Sequence, residues 1–283
     1  MIRSFRAVLL FSVSLIALIG LIGLGATGAT SGDPLSDTAS GPVGGFDTVV
    51  IDAGHGGDDH GARGSNGLLE KQLVLDVARQ LAGRLQDQGL RVAMTRAEDR
   101  FVPLEERTSI ANDARGNLFL SIHANASRDR GVRGIETFFA SLDASDEAAR
   151  KLAEAENLAF SRGEGMGPAT ADPLFAILGD LIATEHLMES QEFAQLAQRR
   201  LATAEVSRSR GVKQAPFVVL MGVQMPAVLV EIGFLTNAEE ERVLRSESER
   251  SRLVEGLAEA VNVFRSRYDT RRGLGEAGNG GER

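Results

Sequence analysis

The strongest structural signal in this sequence is a β-branched run that passes directly into a glycine-rich turn. The chain reads Thr-Val-Val-Ile at 48–51 and Asp-Ala-Gly-His-Gly-Gly at 52–57, which predicts a buried strand followed by a loop. Beyond the loop, leucine and valine recur at helical spacing over 69–85, and Gly89 precedes a second strand at 90–95. A strand, a helix and a strand in this order predict an α/β fold.

The same alternation continues along the rest of the chain. A helix is predicted at 104–114, strands at 118–122, 134–140, 217–220 and 228–231, and closing helices at 243–264. We therefore expect a single α/β domain with a mainly parallel twisted sheet flanked by helices. Such sheets bind ligands at the carboxyl ends of their strands, so we expect the functional site at that edge.

Residues 141–210 interrupt the alternation with charged, helical sequence and no predicted strand. We interpret this segment as a helical insertion. Within it, an apolar stripe follows the spacing of one helix face, and its members are Leu174, Ile177, Leu178, Leu181 and Ile182. We expect the stripe to pack on the domain, on a partner protein, or on each in turn.

The two ends of the chain are predicted to lie outside the folded domain. Arg3 and Arg6 precede an uncharged apolar run at 7–24 and several small residues, which indicates a secretory signal over 1–29. A membrane anchor is the alternative, because the run approaches the length of a spanning helix. Linker composition is found at 30–45, the domain is expected at 46–268, and a disordered tail at 269–283.

Composition narrows the chemistry that the chain can perform. It has no cysteine, which excludes disulfides, thiolate metal sites and a cysteine nucleophile. The formal net charge of −8 argues against a nucleic-acid partner. Loss of the signal, which holds two arginines and no acid, would make that charge −10. An acidic, exported, cysteine-free protein is expected in a bacterial periplasm, and at the membrane only if the signal stays uncleaved.

Four residues at the predicted ligand edge are candidates for a catalytic metal site. His55 and His123 each follow an apolar strand, and Glu70 lies on the apolar face of the first helix. A His, Glu, His set with an open fourth position is typical of catalytic zinc. Glu231, at the exit of a buried strand, could act as a general base on zinc-bound water. The alternatives are histidines that only cap strands and glutamates in structural salt bridges or helix-end contacts.

The remaining polar candidates are weaker. His60 follows two aspartates in a loop and is expected to be solvated, and His186 is interpreted as a surface or packing residue. Arg96 and Arg107 could meet carboxylates of a substrate, although a structural salt bridge fits each of them equally well.

Four motifs together carry a resemblance to a known family. They are Val-Ile-Asp-Ala-Gly-His-Gly-Gly at 50–57, Asn-Gly-Leu-Leu-Glu-Lys at 66–71, Leu-Ser-Ile-His-Ala-Asn at 120–125 and Pro-Ala-Val-Leu-Val-Glu-Ile-Gly-Phe-Leu-Thr-Asn at 226–237. From about 48 to 264 the chain resembles the zinc-dependent N-acetylmuramoyl-L-alanine amidases of the AmiA/AmiB/AmiC type. That resemblance implies that His55, Glu70 and His123 hold zinc and that Glu231 is the catalytic glutamate.

The resemblance also implies a reaction, which is hydrolysis of the amide between N-acetylmuramic acid and L-alanine in peptidoglycan during cell-wall remodelling and daughter-cell separation. Two alternatives stay open. A zinc peptidase acting on the stem peptide could use the same metal and base. A non-catalytic homologue could bind peptidoglycan without cleaving it, although the complete set of four residues argues against this.

In cell-division amidases a helix in the corresponding insertion plugs the active site until a LytM-type activator displaces it. A carboxylate on a movable helix can fill an open zinc position, so the resemblance implies such a lock here. Glu156 is the first candidate and Glu154 the second, and a solvated charged helix is the alternative. Only 16 residues separate Ala29 from Phe46, so no amino-terminal peptidoglycan-targeting domain is expected.

Overall fold

A six-stranded sheet with helices on both faces forms the centre of the protein. The structure is a computed structural model and describes residues 44–159, 184–204 and 206–274. The strands are β1 (Thr48–Ala53), β2 (Arg91–Met94), β3 (Leu118–Asn125), β4 (Ile135–Ala140), β5 (Ser209–Ala215) and β6 (Ala227–Phe234). The helices are α1 (Glu70–Asp87), α2 (Leu104–Asp113), α3 (Glu147–Ala159), α4 (Thr184–Thr203), α5 (Val218–Met221), α6 (Ala238–Arg245) and α7 (Glu247–Arg271).

The strand order and directions place four carboxyl ends and two amino ends at one edge of the sheet. The order is β2-β1-β3-β6-β4-β5, with β2, β1, β3 and β6 parallel to one another. Strand β4 runs antiparallel to β6, and β5 runs parallel to β4. The amino ends of β4 and β5 therefore lie at the same edge as the carboxyl ends of β2, β1, β3 and β6.

Alternate residues along the central strands pack into two separate hydrophobic cores, one on each face of the sheet. Val49 and Ile51 of β1 pack in the larger core with α1, α4 and α7, whereas Val50 packs in the smaller core with α3 and α5. The same alternation separates Leu120 from Phe119 in β3. This period of two is expected for a strand that is buried on both faces. The sheet is therefore the middle of three layers, with a layer of helices on each side.

The α/β prediction is confirmed, while two local assignments are wrong. Four strands are parallel, but β4 and β5 make the sheet a mixed one. Residues 217–220 are predicted as a strand, but 217 is the N-cap and 218–220 belong to the one-turn helix α5, because a short apolar run fits either structure. Strand β5 was not predicted, since its Ser-Arg-Gly-Val-Lys-Gln-Ala sequence is polar and it lies at the sheet edge.

The predicted insertion at 141–210 is not a separable unit. Its described part contains α3 and α4, and the start of β5 also falls within it. Helix α4 buries Phe193, Leu196 and Leu201 in the larger core, so this part of the segment is required for packing. The predicted apolar stripe from Leu174 to Ile182 lies outside the described residues.

The predicted signal over 1–29 and most of the linker also lie outside the described residues. Within residues 44–274, apart from the two gaps, no helix combines the length and apolar character needed to cross a membrane. At the other end, helix α7 continues to Arg271, and Asp269 accepts a hydrogen bond of 2.6 Å from the Phe46 N–H. The helix therefore extends past the boundary predicted for the tail.

Candidate metal centre

Three side chains from different segments converge at the carboxyl edge of the sheet. One oxygen of Glu70, Oε1, lies 3.1 Å from His55 Nε2 and 3.2 Å from His123 Nδ1. All three residues are buried, and one donor atom from each lies within 4.8 Å of the others. Two imidazole nitrogens and a carboxylate oxygen at this spacing can hold a transition-metal ion.

The loop after β1 brings His55 towards His123 because glycines leave room for it. A Cβ at Gly54 would overlap the His123 ring, and a Cβ at Gly61 would fall within 2.5 Å of both Glu70 Oε2 and His55 Cδ2. His55 itself has a φ of 58°, in the left-handed region that side chains rarely adopt. Strain of this kind persists only where the surroundings enforce it, and it is common at functional sites.

Glu70 is the first residue of α1, and the main chain fixes both of its oxygens. Oε1 accepts the Ala124 N–H at 2.9 Å, and Oε2 accepts the Ala62 N–H at 2.7 Å. These bonds compensate a buried carboxylate that would otherwise be costly. They also hold Oε1 between the two histidines, where a metal ligand is needed.

A further carboxylate orients the first histidine. Asp59 Oδ2 lies 2.8 Å from His55 Nδ1, which leaves Nε2 to face Glu70. Outer carboxylates of this kind fix the orientation of histidine ligands and increase their basicity. The sequence reasoning missed Asp59, although its position four residues after His55 in the glycine-rich loop was the available signal.

The charges in the centre are strongly coupled. Burial opposes charge on the histidines, but Glu70 and Asp59 raise the pKa of His55 to about 11. Glu156 and Glu70 similarly overcome burial and raise the pKa of His123 to about 10. Burial alone would raise the pKa of Glu70, yet the two histidines hold it well below its usual range. Binding of a metal cation here would therefore release protons from the imidazoles.

Glu231 lies beside this cluster on β6, directly across from His123 on β3. It is fully buried, and neither carboxylate oxygen accepts a hydrogen bond from any residue that the structure describes. Burial raises the pKa of Glu231 well above its usual value; His123 opposes this, and Glu70 and Glu156 add to it. Buried polar atoms without protein partners indicate that the centre is built to receive a ligand.

Helix α3 carries Glu156 into the centre. Glu156 Oε2 lies 3.4 Å from His55 Nε2 and 3.3 Å from His123 Nδ1. Glu154, the second candidate, instead pairs with Arg150 on the exposed side of the helix. Of the two acidic residues, only Glu156 reaches the histidines.

Arg96 and Arg107 do not occupy substrate-contact positions. Both are buried, with 1% and 0% of their surface exposed. Arg107 donates to Asp52 Oδ1 at 2.6 Å and to the carbonyls of Ala53 and His55 at 2.8 and 2.9 Å. Arg96 donates to the carbonyls of Ala53 and Gly54. The expectation of substrate contact is corrected: these arginines hold the loop that carries His55, which is the structural alternative.

The other two histidines lie apart from the centre. His60 is exposed, as expected for a solvated loop residue. His186 is half-buried on α4, with Nδ1 3.9 Å from Glu189 Oε2. Neither belongs to the groups of side chains that could hold a metal ion.

Comparison with known proteins agrees with this geometry. The Amidase_3 family, described as N-acetylmuramoyl-L-alanine amidase, matches residues 49–263. The chain is 35% identical over 233 residues to the N-acetylmuramoyl-L-alanine amidase AmiA of Escherichia coli (strain K12), a match that covers 81% of this chain and 80% of AmiA. It is 34% identical to AmiC of Neisseria meningitidis serogroup B, over 76% of this chain and 52% of AmiC.

Solved structures show the same fold. The crystal structure of an N-acetylmuramoyl-L-alanine amidase from Clostridium difficile 630 has a TM-score of 0.60 and 29% identity, and the match covers 78% of this chain and 97% of that one. The catalytic domain of CwlV from Bacillus (Paenibacillus) polymyxa var. colistinus has a TM-score of 0.58, also with 29% identity, over 77% of this chain and 97% of that domain. The family resemblance of the four motifs is confirmed.

Proposed function

Because this chain belongs to the Amidase_3 family of N-acetylmuramoyl-L-alanine amidases, we propose that it is a zinc-dependent enzyme that cleaves the amide between N-acetylmuramic acid and L-alanine in peptidoglycan. The observation that carries the proposal is the convergence of His55, Glu70 and His123 beside the buried carboxylate of Glu231. Three protein ligands and an adjacent carboxylate form the usual set of a zinc hydrolase.

Each residue of the set has a distinct part in the proposed reaction. His55, Glu70 and His123 would hold the metal. When bound, zinc supplies a Lewis acid that polarises the amide carbonyl and makes a water molecule more acidic. Glu231 would accept a proton from the attacking water and deliver it to the leaving amine nitrogen. Its burial and lack of hydrogen-bond donors among the described residues keep both oxygens available for this transfer.

The reaction products distinguish the proposed amidase from the two alternatives. Zinc-loaded protein incubated with muropeptides should release a stem peptide that begins with L-alanine, detected by mass spectrometry. Chelation should abolish this product, and added zinc should restore it, because the three ligands act only through the metal. The Glu156→Ala variant is assayed in parallel, because Glu156 contacts both histidines and would block the site in the wild type. A shortened stem would indicate a peptidase, and no product from either protein would indicate a binding protein.

We also propose that Glu156 inhibits the enzyme by occupying the open metal position. Two features of α3 hold the side chain there. Ala149 and Ala153 are buried against the smaller core, and Asn157 bonds the Pro216 carbonyl at 2.9 Å and the Val218 N–H at 3.0 Å. A carboxylate placed against both histidine ligands would compete with water and substrate for the metal.

Replacing Glu156 with Ala is expected to increase basal amidase activity. Loss of a charge-assisted contact worth about 1.5–3 kcal/mol corresponds to an increase of roughly 10–100-fold. The matched control is Glu154→Ala on the same helix, whose side chain pairs with Arg150 on the exposed face and should leave activity unchanged. Initial rates on purified muropeptides give the comparison. Equal rates for wild type and Glu156→Ala would exclude the inhibitory role.

The cellular context follows from the same proposal. We infer that the enzyme is exported to the periplasm by the apolar segment within 1–29 and acts in cell-wall remodelling and daughter-cell separation. A LytM-type protein that displaces α3 would be the activator. Antibody detection in separated periplasmic and membrane fractions tests the location, since a cleaved signal predicts the soluble periplasmic fraction.

A further inference from the structure

A cavity of about 480 Å³ lies at the same edge of the sheet as the metal centre. Its walls come from the loop between β3 and β4, from the start of β5 and from the start of α6. The reversed direction of β4 and β5 explains this location, because their amino ends adjoin the carboxyl ends of β3 and β6. The cavity and the end of β6 that carries Glu231 therefore lie at one edge of the sheet.

Arginine dominates the charge of this cavity. Arg133, Arg208 and Arg210 line it, together with Asp129 and Glu239. Asp129 Oδ1 accepts the Gly131 N–H at 2.8 Å, and Glu239 forms its ion pair with Arg242 at 2.6 Å, while Arg133 acts on Glu239 from a longer distance. Among the described residues, Arg133 and Arg208 are exposed and form no ion pair. Two guanidinium groups thus remain for an external anion.

The third arginine connects the cavity to the catalytic strand. Arg210 Nε lies 2.6 Å from Glu136 Oε1, and its guanidinium stacks over the Phe234 ring at 5.3 Å. Glu136 on β4 is the direct cross-strand neighbour of Glu231 on β6, and such neighbours have Cβ atoms about 4.5–5.5 Å apart. Arg210 in the cavity wall is therefore separated from Glu231, the proposed base, by one ion pair and one interstrand distance. A short peptide is long enough to cover this separation.

We propose that this cavity binds a free carboxylate of the peptide stem on the leaving side of the scissile amide. The inference rests on the proposed amidase function, because it assigns the direction in which the substrate extends from Glu231. Guanidinium groups match a carboxylate in shape and donate two parallel hydrogen bonds to it. The chain carries a formal net charge of −8, so an anionic polymer is held by a local cationic contact and not by the overall field.

Calorimetry with a free stem tripeptide, L-alanyl-γ-D-glutamyl-diaminopimelate, tests this site on the full zinc-loaded protein. The Arg133→Ala/Arg208→Ala variant should bind the peptide at least about tenfold more weakly than wild type, because two charge-assisted contacts are lost. The matched control is Arg199→Ala/Arg200→Ala, which removes two exposed arginines of α4 and should bind as wild type does. The fully amidated tripeptide should bind wild type as weakly as the acid form binds the cavity variant.

Three results would overturn the carboxylate site. These are no binding of the tripeptide by wild type, equal affinity in the two double variants, or equal affinity for acid and amide. Muropeptide hydrolysis measured alongside separates this proposal from the amidase function. Binding through Arg133 and Arg208 with no hydrolysis by wild type or by Glu156→Ala would refute only the amidase. Hydrolysis with the same KM in both double variants would refute only the cavity site, whereas a raised KM with retained kcat in the cavity variant supports it.

Discussion

Replacing Glu231 with Gln should lower kcat on muropeptides by about 10²–10⁴-fold while the protein stays folded and keeps its metal. Glutamine has nearly the same shape as glutamate but cannot accept a proton from water. The loss should be chemical and not structural, because no described residue donates a hydrogen bond to either Glu231 oxygen. Glu231 also lies outside the set of three proposed ligands. Rates, zinc content and circular dichroism on one preparation provide the measurement.

A matched control for this result is Glu189→Gln. Glu189 is a buried glutamate of α4 that pairs with Arg271 and Arg272, away from the metal centre. It tests whether loss of any buried carboxylate lowers the rate. If Glu231→Gln retained turnover within tenfold of wild type, or if it lost zinc, the assignment of Glu231 as the proton acceptor would be wrong.

Replacing Arg107 with Met should reduce the free energy of unfolding by about 3–5 kcal/mol, because it leaves Asp52 buried without its charge partner. Both side chains have 0% exposure, and Arg107 Nη1 lies 2.6 Å from Asp52 Oδ1. Burial raises the pKa of Asp52, but Arg107, His123 and the hydroxyls of Thr95 and Ser121 together outweigh it and hold that pKa below the usual value. The contribution of Asp52 is therefore present at neutral pH and is lost as pH falls through the carboxyl range.

Urea unfolding measures this change in stability, and two further variants are compared with Arg107→Met. Arg84→Met removes an exposed arginine that pairs with Glu255 and should alter stability far less. Asp52→Asn combined with Arg107→Met should be less damaging than the sum of the two single changes, because no unpaired buried charge remains. An Arg107→Met protein as stable as wild type would refute a structural role. Weaker zinc binding is also expected, since Arg107 holds the His55 carbonyl.

The chemistry at the sheet edge was more predictable from sequence than the outer part of the sheet. His55, Glu70 and His123 were recognisable because strand ends and helix periodicity determine where such side chains point. Strand β5 escaped prediction because an edge strand that is half exposed needs no apolar alternation. For Arg96 and Arg107, the sequence left two alternatives, because only the tertiary fold shows which arginine is enclosed by backbone carbonyls.

Glu156 shows the limit of sequence reasoning most clearly. Glu154 and Glu156 lie two residues apart on one helix, so their side chains point in different directions. Which of them reaches the histidines depends on the face that α3 packs against the smaller core, through Ala149 and Ala153. Alanines at i and i+4 mark that face only when the surface opposite them is known. The same reason hid the arginine-lined cavity, whose walls are distant in sequence.

The contrast between α3 and α4 has a thermodynamic consequence for any regulator. Among the side chains of α3 that the structure describes, those that are apolar and fully buried are the methyl groups of Ala149 and Ala153, and each contributes roughly 0.8 kcal/mol. Helix α4 buries Phe193, Leu196 and Leu201, at about 1.5–3 kcal/mol each. In apolar burial, detaching α3 from the domain therefore costs much less free energy than detaching α4. A partner of modest affinity could lift the first helix while the second keeps the sheet covered.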